Sequence, residues 1–292
     1  MIKSFFLFFG IGCLTLSPAI NITNDIAPEQ LAAYLFDDCI TINNVFYAGN
    51  ELSGGIYQNA TVESQGNTSL ESGIVLSSGY VHYLNNNENM SNLSTGILEL
   101  PGDADLQALV QPDEWGEIEP TIDASVLTID FTASLTADVT VTLDYIFGSE
   151  EYEEFVLSDY NDVFGIFLDG VNIALLPGTE TPISIHTINQ YVNSGFYNPN
   201  IIDENGDSPF STEMDGFTTP LRTAFTCAAG SVHTLKIGIA DVRDDQYDSW
   251  VMVNGSSSCT PLSVPEPPTA LLLITGMALL AGTTVHGAKK RS

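Results

Sequence analysis

Val139-Thr140-Val141-Thr142-Leu143-Asp144-Tyr145-Ile146-Phe147 decides the fold class. Val139, Val141, Leu143, Tyr145 and Phe147 fall on one face and Thr140, Thr142 and Asp144 on the other, the two-residue period of a half-buried strand. Leu127, Ile129 and Phe131 repeat the pattern just upstream. Downstream, Phe164, Ile166 and Leu168 lead into Asp169-Gly170 and then Val171-Asn172-Ile173-Ala174-Leu175, which predicts a hairpin whose two-residue turn uses glycine for positive φ. Ile183 to Ile188, Leu235-Ile237-Ile239 and Trp250 to Val253 add further strands. Helix is scarce: Pro28 to Phe36 has proline in a first turn, and Asp103 is placed to cap a short helix through Leu106, Leu109 and Val110. The expected fold is all-β, an antiparallel sandwich of jelly-roll type with one or two short helices, a closed barrel being the alternative.

The two ends read differently. Met1-Ile2-Lys3 is a small positive start, Phe5 to Leu16 an apolar core and Ser17-Pro18-Ala19 a small-residue cleavage site. Residues 1–19 therefore read as a secretory signal peptide, with the mature chain beginning near Ile20. A lipoprotein reading through Cys13 meets Gly10-Ile11-Gly12, which lacks the usual leucine. At the far end Val264-Pro265-Glu266-Pro267-Pro268 cannot continue a sheet, because proline lacks the amide hydrogen and restricts its predecessor. The domain is thus expected over residues 20–262, with a separate tail over 263–292. Ala270 to Val285 carries Leu271, Leu272, Leu273, Ile274, Met277, Leu279 and Leu280 and no charge. At ~1.5 Å per helical residue that run falls slightly short of a ~30 Å hydrocarbon core. Lys289, Lys290 and Arg291 close it on the cytoplasmic side. An ordinary tail anchor is the alternative to a processed segment.

The chain has 37 Asp and Glu against 7 Lys and Arg, a formal net charge of −30. Lys3, Lys289, Lys290 and Arg291 lie in the end segments, so the domain keeps Arg222, Lys236 and Arg243 as its cations and loses only Glu266 among the acids. The export product then carries a formal charge of about −33, a surface that repels phosphate backbones and argues against nucleic-acid binding. Its cysteines are Cys39, Cys227 and Cys259, three thiols with three possible single pairings in an oxidising compartment. A Cys39–Cys259 bridge would clip the ends of the domain, but Cys227 could replace either partner and spacing leaves the choice open.

The chemistry gathers in acidic stretches. Phe147-Gly148-Ser149-Glu150-Glu151-Tyr152-Glu153-Glu154-Phe155 puts four carboxylates at a strand end. Asp159, Asn161 and Asp162 precede the next strand, and Asp241, Asp244, Asp245 and Asp248 occupy the connection between the last two. A sandwich clusters connections from distant segments at one end. Hard oxygen donors so assembled suit calcium, which takes six to eight oxygens, and Glu150, Glu151, Asp162, Asp241 and Asp248 are the expected donors. A solvated acidic rim is the alternative. In Asp203-Glu204-Asn205-Gly206-Asp207 the glycine comes too early for an EF-hand, so that loop reads as a turn.

Two resemblances follow from these residues. Pro265-Glu266-Pro267, the apolar span and the basic end resemble the PEP-CTERM sorting signal, with Pro268 standing where that family more often has serine. The resemblance implies recognition by an exosortase, a transient inner-membrane anchor through Ala270 to Val285, and release outside the inner membrane. The stretches Gly73-Ile74-Val75-Leu76-Ser77-Ser78-Gly79, Asp103-Ala104-Asp105-Leu106, Phe147 to Tyr152, Asn161 to Gly170, Asp215-Gly216-Phe217-Thr218 and Ala240 to Ser249 resemble the choice-of-anchor L domain. That likeness implies an exported surface module joined to a sorting tail. Trp250 stands where a smaller residue is expected. An aromatic strand ending in Glu, then an Asp before a strand closing with Asp-Gly, is similar in pattern to the calcium-binding arrangement of CUB domains.

Three functions compete. Aromatic rings such as Phe155, Tyr160, Tyr191, Phe196, Tyr197 and Tyr247 beside carboxylates suit a glycan-binding or adhesion module, with exopolysaccharide or a surface glycan as partner. Glu150 and Asp162 are candidates for a glycosidase pair, though no nucleophile elbow, zinc helix or phosphate loop accompanies them, and His82, His186 and His233 fall on separate expected strands or their flanks. A purely structural matrix role is the third. The expected reading is a non-enzymatic module secreted through Sec to the cell surface or an extracellular matrix, with calcium as cofactor.

Overall fold

The computed structural model describes residues 20–59, 70–85, 89, 96–112, 116–210 and 212–261. The expected signal peptide, Pro265, Glu266, Pro267 and the run Ala270 to Val285 lie outside them. The chain divides into a compact unit, Met1–Thr260, and a second unit, Pro261–Ser292. Among the described residues no helix is long and apolar enough to cross a membrane.

The strands are β1 (Asn21–Asn24), β2 (Ile40–Ala48), β3 (Gly54–Gln58), β4 (Ser72–Ser77), β5 (Thr121–Ala133), β6 (Ala137–Ser149), β7 (Val163–Leu168), β8 (Val171–Asn172), β9 (Ile183–Ser184), β10 (Tyr197–Pro199), β11 (Gly216–Thr218), β12 (Leu221–Cys227), β13 (Val232–Val242) and β14 (Ser249–Pro261). They form two antiparallel sheets packed as a sandwich. The eight-stranded sheet runs β1-β3-β4-β14-β6-β11-β10 with β12 also on β6, and the six-stranded sheet runs β2-β5-β13-β7-β8 with β9 on β7. The faces read from alternation meet between the sheets: Leu127, Ile129, Phe131, Val139, Val141, Leu143, Tyr145, Phe147, Phe164, Ile166, Leu235, Ile237 and Ile239 share one buried cluster. Trp250 is fully buried in a second cluster with Tyr57, Val75, Ile146 and Met252, on the other side of the eight-stranded sheet, so its size is used rather than misfitted.

Local chemistry sets the element ends. Asp169 and Gly170 hold φ of 50° and 82°, the left-handed pair that a tight two-residue hairpin between β7 and β8 demands. The strand expected through Leu175 stops at Asn172, whose Oδ1 accepts the amides of Ile166 (3.2 Å) and Ala174 (3.1 Å) and turns the chain. Similarly, the strand expected to Ile188 ends at Ser184, because the Ser184 carbonyl accepts from the Thr187 and Ile188 amides in a turn. Asp103 caps α2 (Ala104–Gln107) as expected, accepting from the amides of Asp105 (3.0 Å) and Leu106 (3.2 Å). Residues beyond Gln107 leave the helix. The other helix, α1 (Pro28–Ala33), begins with its proline.

A disulfide joins Cys39, just before β2, to Cys259 in β14, across 220 residues of sequence and a Cα–Cα distance of 5.7 Å, while Cys227 is a buried free thiol. Closing so long a loop restricts the unfolded chain more than the folded one, by about 5 kcal/mol in the chain-entropy account. Replacing both bridge cysteines by serine is therefore expected to lower unfolding free energy by roughly 2–5 kcal/mol, measured by urea unfolding with a lower midpoint and a steeper slope as the unfolded chain expands.

Candidate functional site

Strand polarity gathers the acids. β6 ends at Ser149 and β13 at Val242, while β7, β11 and β14 begin at Val163, Gly216 and Ser249. In antiparallel neighbours the end of one strand lies beside the start of the next, so residues from five distant segments reach one end of the sandwich. Val163 pairs with Ala240, which sets Asp162 opposite Asp241 one rung on. On the other sheet Gly216 pairs with Ser149, which sets Asp215 opposite Glu150. Like charges directly opposed on paired strands destabilise them.

The five expected donors do come to this end, and they are not a solvated rim. Glu150, Glu151, Asp162, Asp241 and Asp248 are 1, 2, 1, 1 and 0 % exposed. Asp241 lies within β13 rather than in the connection, and Asp248 immediately precedes β14. Asp162 is the best supported, its Oδ1 accepting the Val242 amide at 3.2 Å and its Oδ2 the Ser249 hydroxyl at 2.6 Å. Ser249 is itself fixed by Ser78, the residue just after β4, donating its amide to Ser78 Oγ at 2.9 Å. Even so, burial outweighs these donors and lifts Asp162 to about 8. Neither oxygen of Asp241 accepts a hydrogen bond of ordinary geometry. Burial first, then the charges of Asp162 and Asp248, hold its carboxyl well above the ordinary range, and the Ser78 hydroxyl offsets only part of this. Glu151 is raised by burial and then by Asp162, and its Oε2 has no donor. Glu150 belongs with a different set. Its amide donates to the Asp248 carbonyl at 3.1 Å, neither carboxylate oxygen has a donor, and after burial the neighbours that raise it are Asp215, Glu213, Asp248 and Glu154.

Sequence reasoning missed Glu213 and Asp215 as members of this end. They are 0 and 5 % exposed, and burial, only partly offset by the Asn89 amide at 2.7 Å, brings Asp215 to about 7. Asp215 stood inside a quoted motif, but only strand pairing reveals that it faces Glu150.

The cations of the domain pair elsewhere among the described residues. Arg222 holds Asp144 through two bonds of 2.6 and 2.8 Å, Lys236 holds Asp103 and Asp105 at 2.7 and 2.6 Å, and Arg243 pairs with Asp159 and, at 3.8 Å, with Glu119. These are the only lysines and arginines of residues 20–262. Glu150, Glu151, Asp162 and Asp241 have no lysine or arginine partner among the described residues. Chemically the cluster can hold protons or a hard divalent cation. Among the described residues no three His, Cys, Asp or Glu side chains are already grouped to hold a metal ion. Uncompensated carboxylates repel, so an ion binding here would have to draw them inward.

Other expected features separate. The loop from Asp203 to Asp207 is a turn, with Asp203 Oδ1 accepting the amides of Asn205 and Asp207 at 2.8 and 3.0 Å. Tyr152 is buried and bonded to the Ile188 carbonyl at 2.7 Å, whereas Phe155, half-buried, packs edge-on to Tyr160 at 5.3 Å and tilted against Tyr247 at 5.1 Å beside the acidic end. His82 sits on a 3-10 turn and His186 in a loop, not on strands; only His233 lies in one, β13. Ser231 Oγ, His233 and Asp169 form a row with spacings of 2.8 and 2.7 Å that imitates a hydrolytic triad. The serine hydrogen, however, goes to the Ala228 carbonyl at 2.6 Å, so the row fastens the β12–β13 turn.

A disulfide-clipped, strongly acidic two-sheet sandwich with its carboxylates collected at one end is an extracellular type of module. The chain belongs to the choice-of-anchor L domain family, whose sequence profile matches residues 19–258. That family is a non-catalytic, surface-anchor type of domain, which makes this a secreted or cell-surface protein. No curated protein matches the chain.

The upward shifts fix a sign. Folding raises the affinity of these carboxyls for protons, so their contribution to stability is full below the unfolded pKa of about 4 and is lost as pH rises through the folded values. With Asp215 near 7 and Asp162 near 8, the melting midpoint in chelator is expected to fall steadily between about pH 5 and 8.5. A flat profile in a scanning calorimeter would contradict the burial of ionisable groups described above.

Proposed function

We propose that the chain is a non-enzymatic surface module whose acidic end is ordered by calcium, held by Glu151, Asp162, Asp241 and Asp248 with Glu150 alongside, and that this end presents a rigid face for adhesion or glycan contact. The observation that carries the reading is that Glu150, Glu151 and Asp241 are buried with oxygens that meet no donor and, like Asp162, have no lysine or arginine partner among the described residues. Calcium brings two positive charges and accepts an irregular shell of oxygens, which suits donors arriving from unrelated segments. It would lock the β6–β7 and β13–β14 connections, which carry the Phe155, Tyr160 and Tyr247 rings. Rings of this kind stack on sugars. Hydrolysis fits less well, because Glu150 and Asp162 are too deeply buried to straddle a sugar ring.

In this reading residues 1–19 direct Sec export, Pro265, Glu266 and Pro267 mark the site read by an exosortase, and Ala270 to Val285 anchors the chain in the inner membrane until processing. The sandwich, of jelly-roll type, then works at the surface or in exopolysaccharide.

Calcium at a hundred times its dissociation constant should stabilise the fold by about 2.7 kcal/mol, because a ligand of the folded state alone shifts the equilibrium by mass action. Asp241→Asn should reverse sign with conditions: a higher melting midpoint than wild type in chelator, where one unneutralised charge has gone, and a lower one in millimolar calcium. Retention on the producing cell's own polysaccharide should disappear with chelator. An unchanged midpoint on adding calcium would defeat the ordering role.

A further inference from the structure

The end of the eight-stranded sheet holds a second carboxylate group, apart from Asp162 and Asp241 at the end of the six-stranded one. Asp215 faces Glu150 across the β11–β6 pairing, since the rungs before it are Gly216–Ser149 and Phe217–Gly148. The β10–β11 connection delivers Glu213 to the same place by wrapping around Asn200. The Asn200 side chain donates to the carbonyls of Thr212 and Met214 at 2.9 and 2.8 Å and accepts the Phe210 amide at 2.8 Å, while its own amide donates to the Asp215 carbonyl at 2.8 Å. Met214 then lies on Gly148, where any Cβ would collide with its sulfur, so the wrapped segment rests directly on the end of β6. Glu150 is 1 % exposed, and neither of its oxygens meets a donor. After burial itself, Asp215 and Glu213 raise its carboxyl more than Asp248 or Glu154 do. A buried carboxylate without donors, facing two more buried carboxylates, is an arrangement that a hard cation completes.

We propose that Glu150, Glu213 and Asp215 form a second calcium site, distinct from the one at Asp162 and Asp241, which pins the β10–β11 connection to the end of the eight-stranded sheet. The inference rests on reading the acidic end as calcium-bound. Asp248 lies between the two groups, its carbonyl accepting the Glu150 amide while its side-chain charge is felt by both Glu150 and Asp241.

The test counts calcium by native mass spectrometry on the exported chain, after chelation and return to millimolar calcium. Two ions are expected in the wild type, one in the Glu213→Gln/Asp215→Asn variant, and one in Asp241→Asn. One ion in the wild type, kept in Glu213→Gln/Asp215→Asn and lost in Asp241→Asn, overturns the second site and leaves the first standing. The opposite pattern, an ion lost only in the Glu213→Gln/Asp215→Asn variant, upholds this site and removes the first. No ion in the wild type overturns both. Should the double variant fail to fold, limited proteolysis of the wild type decides: cleavage in the β10–β11 connection slowed several-fold by calcium supports the site, and equal rates overturn it.

Discussion

A carboxylate taken out of water needs a proton, a full set of donors or a cation, and the acidic end of this sandwich is organised around that need. Domain composition removes the usual answer. Three lysines and arginines serve the whole of residues 20–262, and each is committed to a carboxylate elsewhere: Asp144, the Asp103–Asp105 pair, and Asp159 with Glu119. Hydrogen bonding answers it most fully for Asp162, which has the Val242 amide and the Ser249 hydroxyl, and in part for Asp215, which has the Asn89 amide. Glu150 remains buried with neither, and Asp241 has only partial relief from the Ser78 hydroxyl, a configuration that costs stability unless a proton or a cation enters from solution.

The fold creates this situation and also makes it usable. Antiparallel order brings the end of β6 beside the start of β14, and the end of β13 beside the start of β7, so acids far apart in sequence meet without any local motif. The strands behind them are locked by a continuous apolar cluster between the sheets and by the bridge from Cys39 to Cys259. The connections at the acidic end, outside those strands, bear the Phe155, Tyr160 and Tyr247 rings. An ion there would couple electrostatic relief to the ordering of a contact face, which is how a non-catalytic surface domain can make its binding depend on its medium.

Much of this was legible in the chain. Alternation located β5, β6, β7 and β13 through the regular apolar face that each turns between the sheets, although β7 and the end of β13 are covered on the other face too, where Val163, Phe167, Ala240 and Val242 pack with Leu106. Asp169-Gly170 announced its turn through glycine's tolerance of positive φ, and Asp103 announced a cap. Strands β3 and β4 gave no such signal, since the eight-stranded sheet is covered on both sides there: Ile56 and Ile74 pack inward while Tyr57 and Val75 join Trp250 in the second cluster. A two-residue period blurs where both faces are buried. The five acids were found because they flank recognisable strands, yet their burial was not foreseeable, as a run such as Glu150-Glu151 reads equally as a solvated rim. Glu213 stayed hidden because its position depends on Asn200 winding the β10–β11 connection, a tertiary hydrogen-bond pattern that spacing does not encode.

The most direct measurement is anomalous X-ray diffraction from crystals of the domain grown in calcium. An anomalous peak among Glu151, Asp162, Asp241 and Asp248, with carboxylate oxygens drawn to about 2.3–2.6 Å from it, is the result expected. Ordered side chains with no peak, the carboxyls instead sharing protons with one another at hydrogen-bond distance, would show that the buried charge is relieved without a metal and would contradict the account.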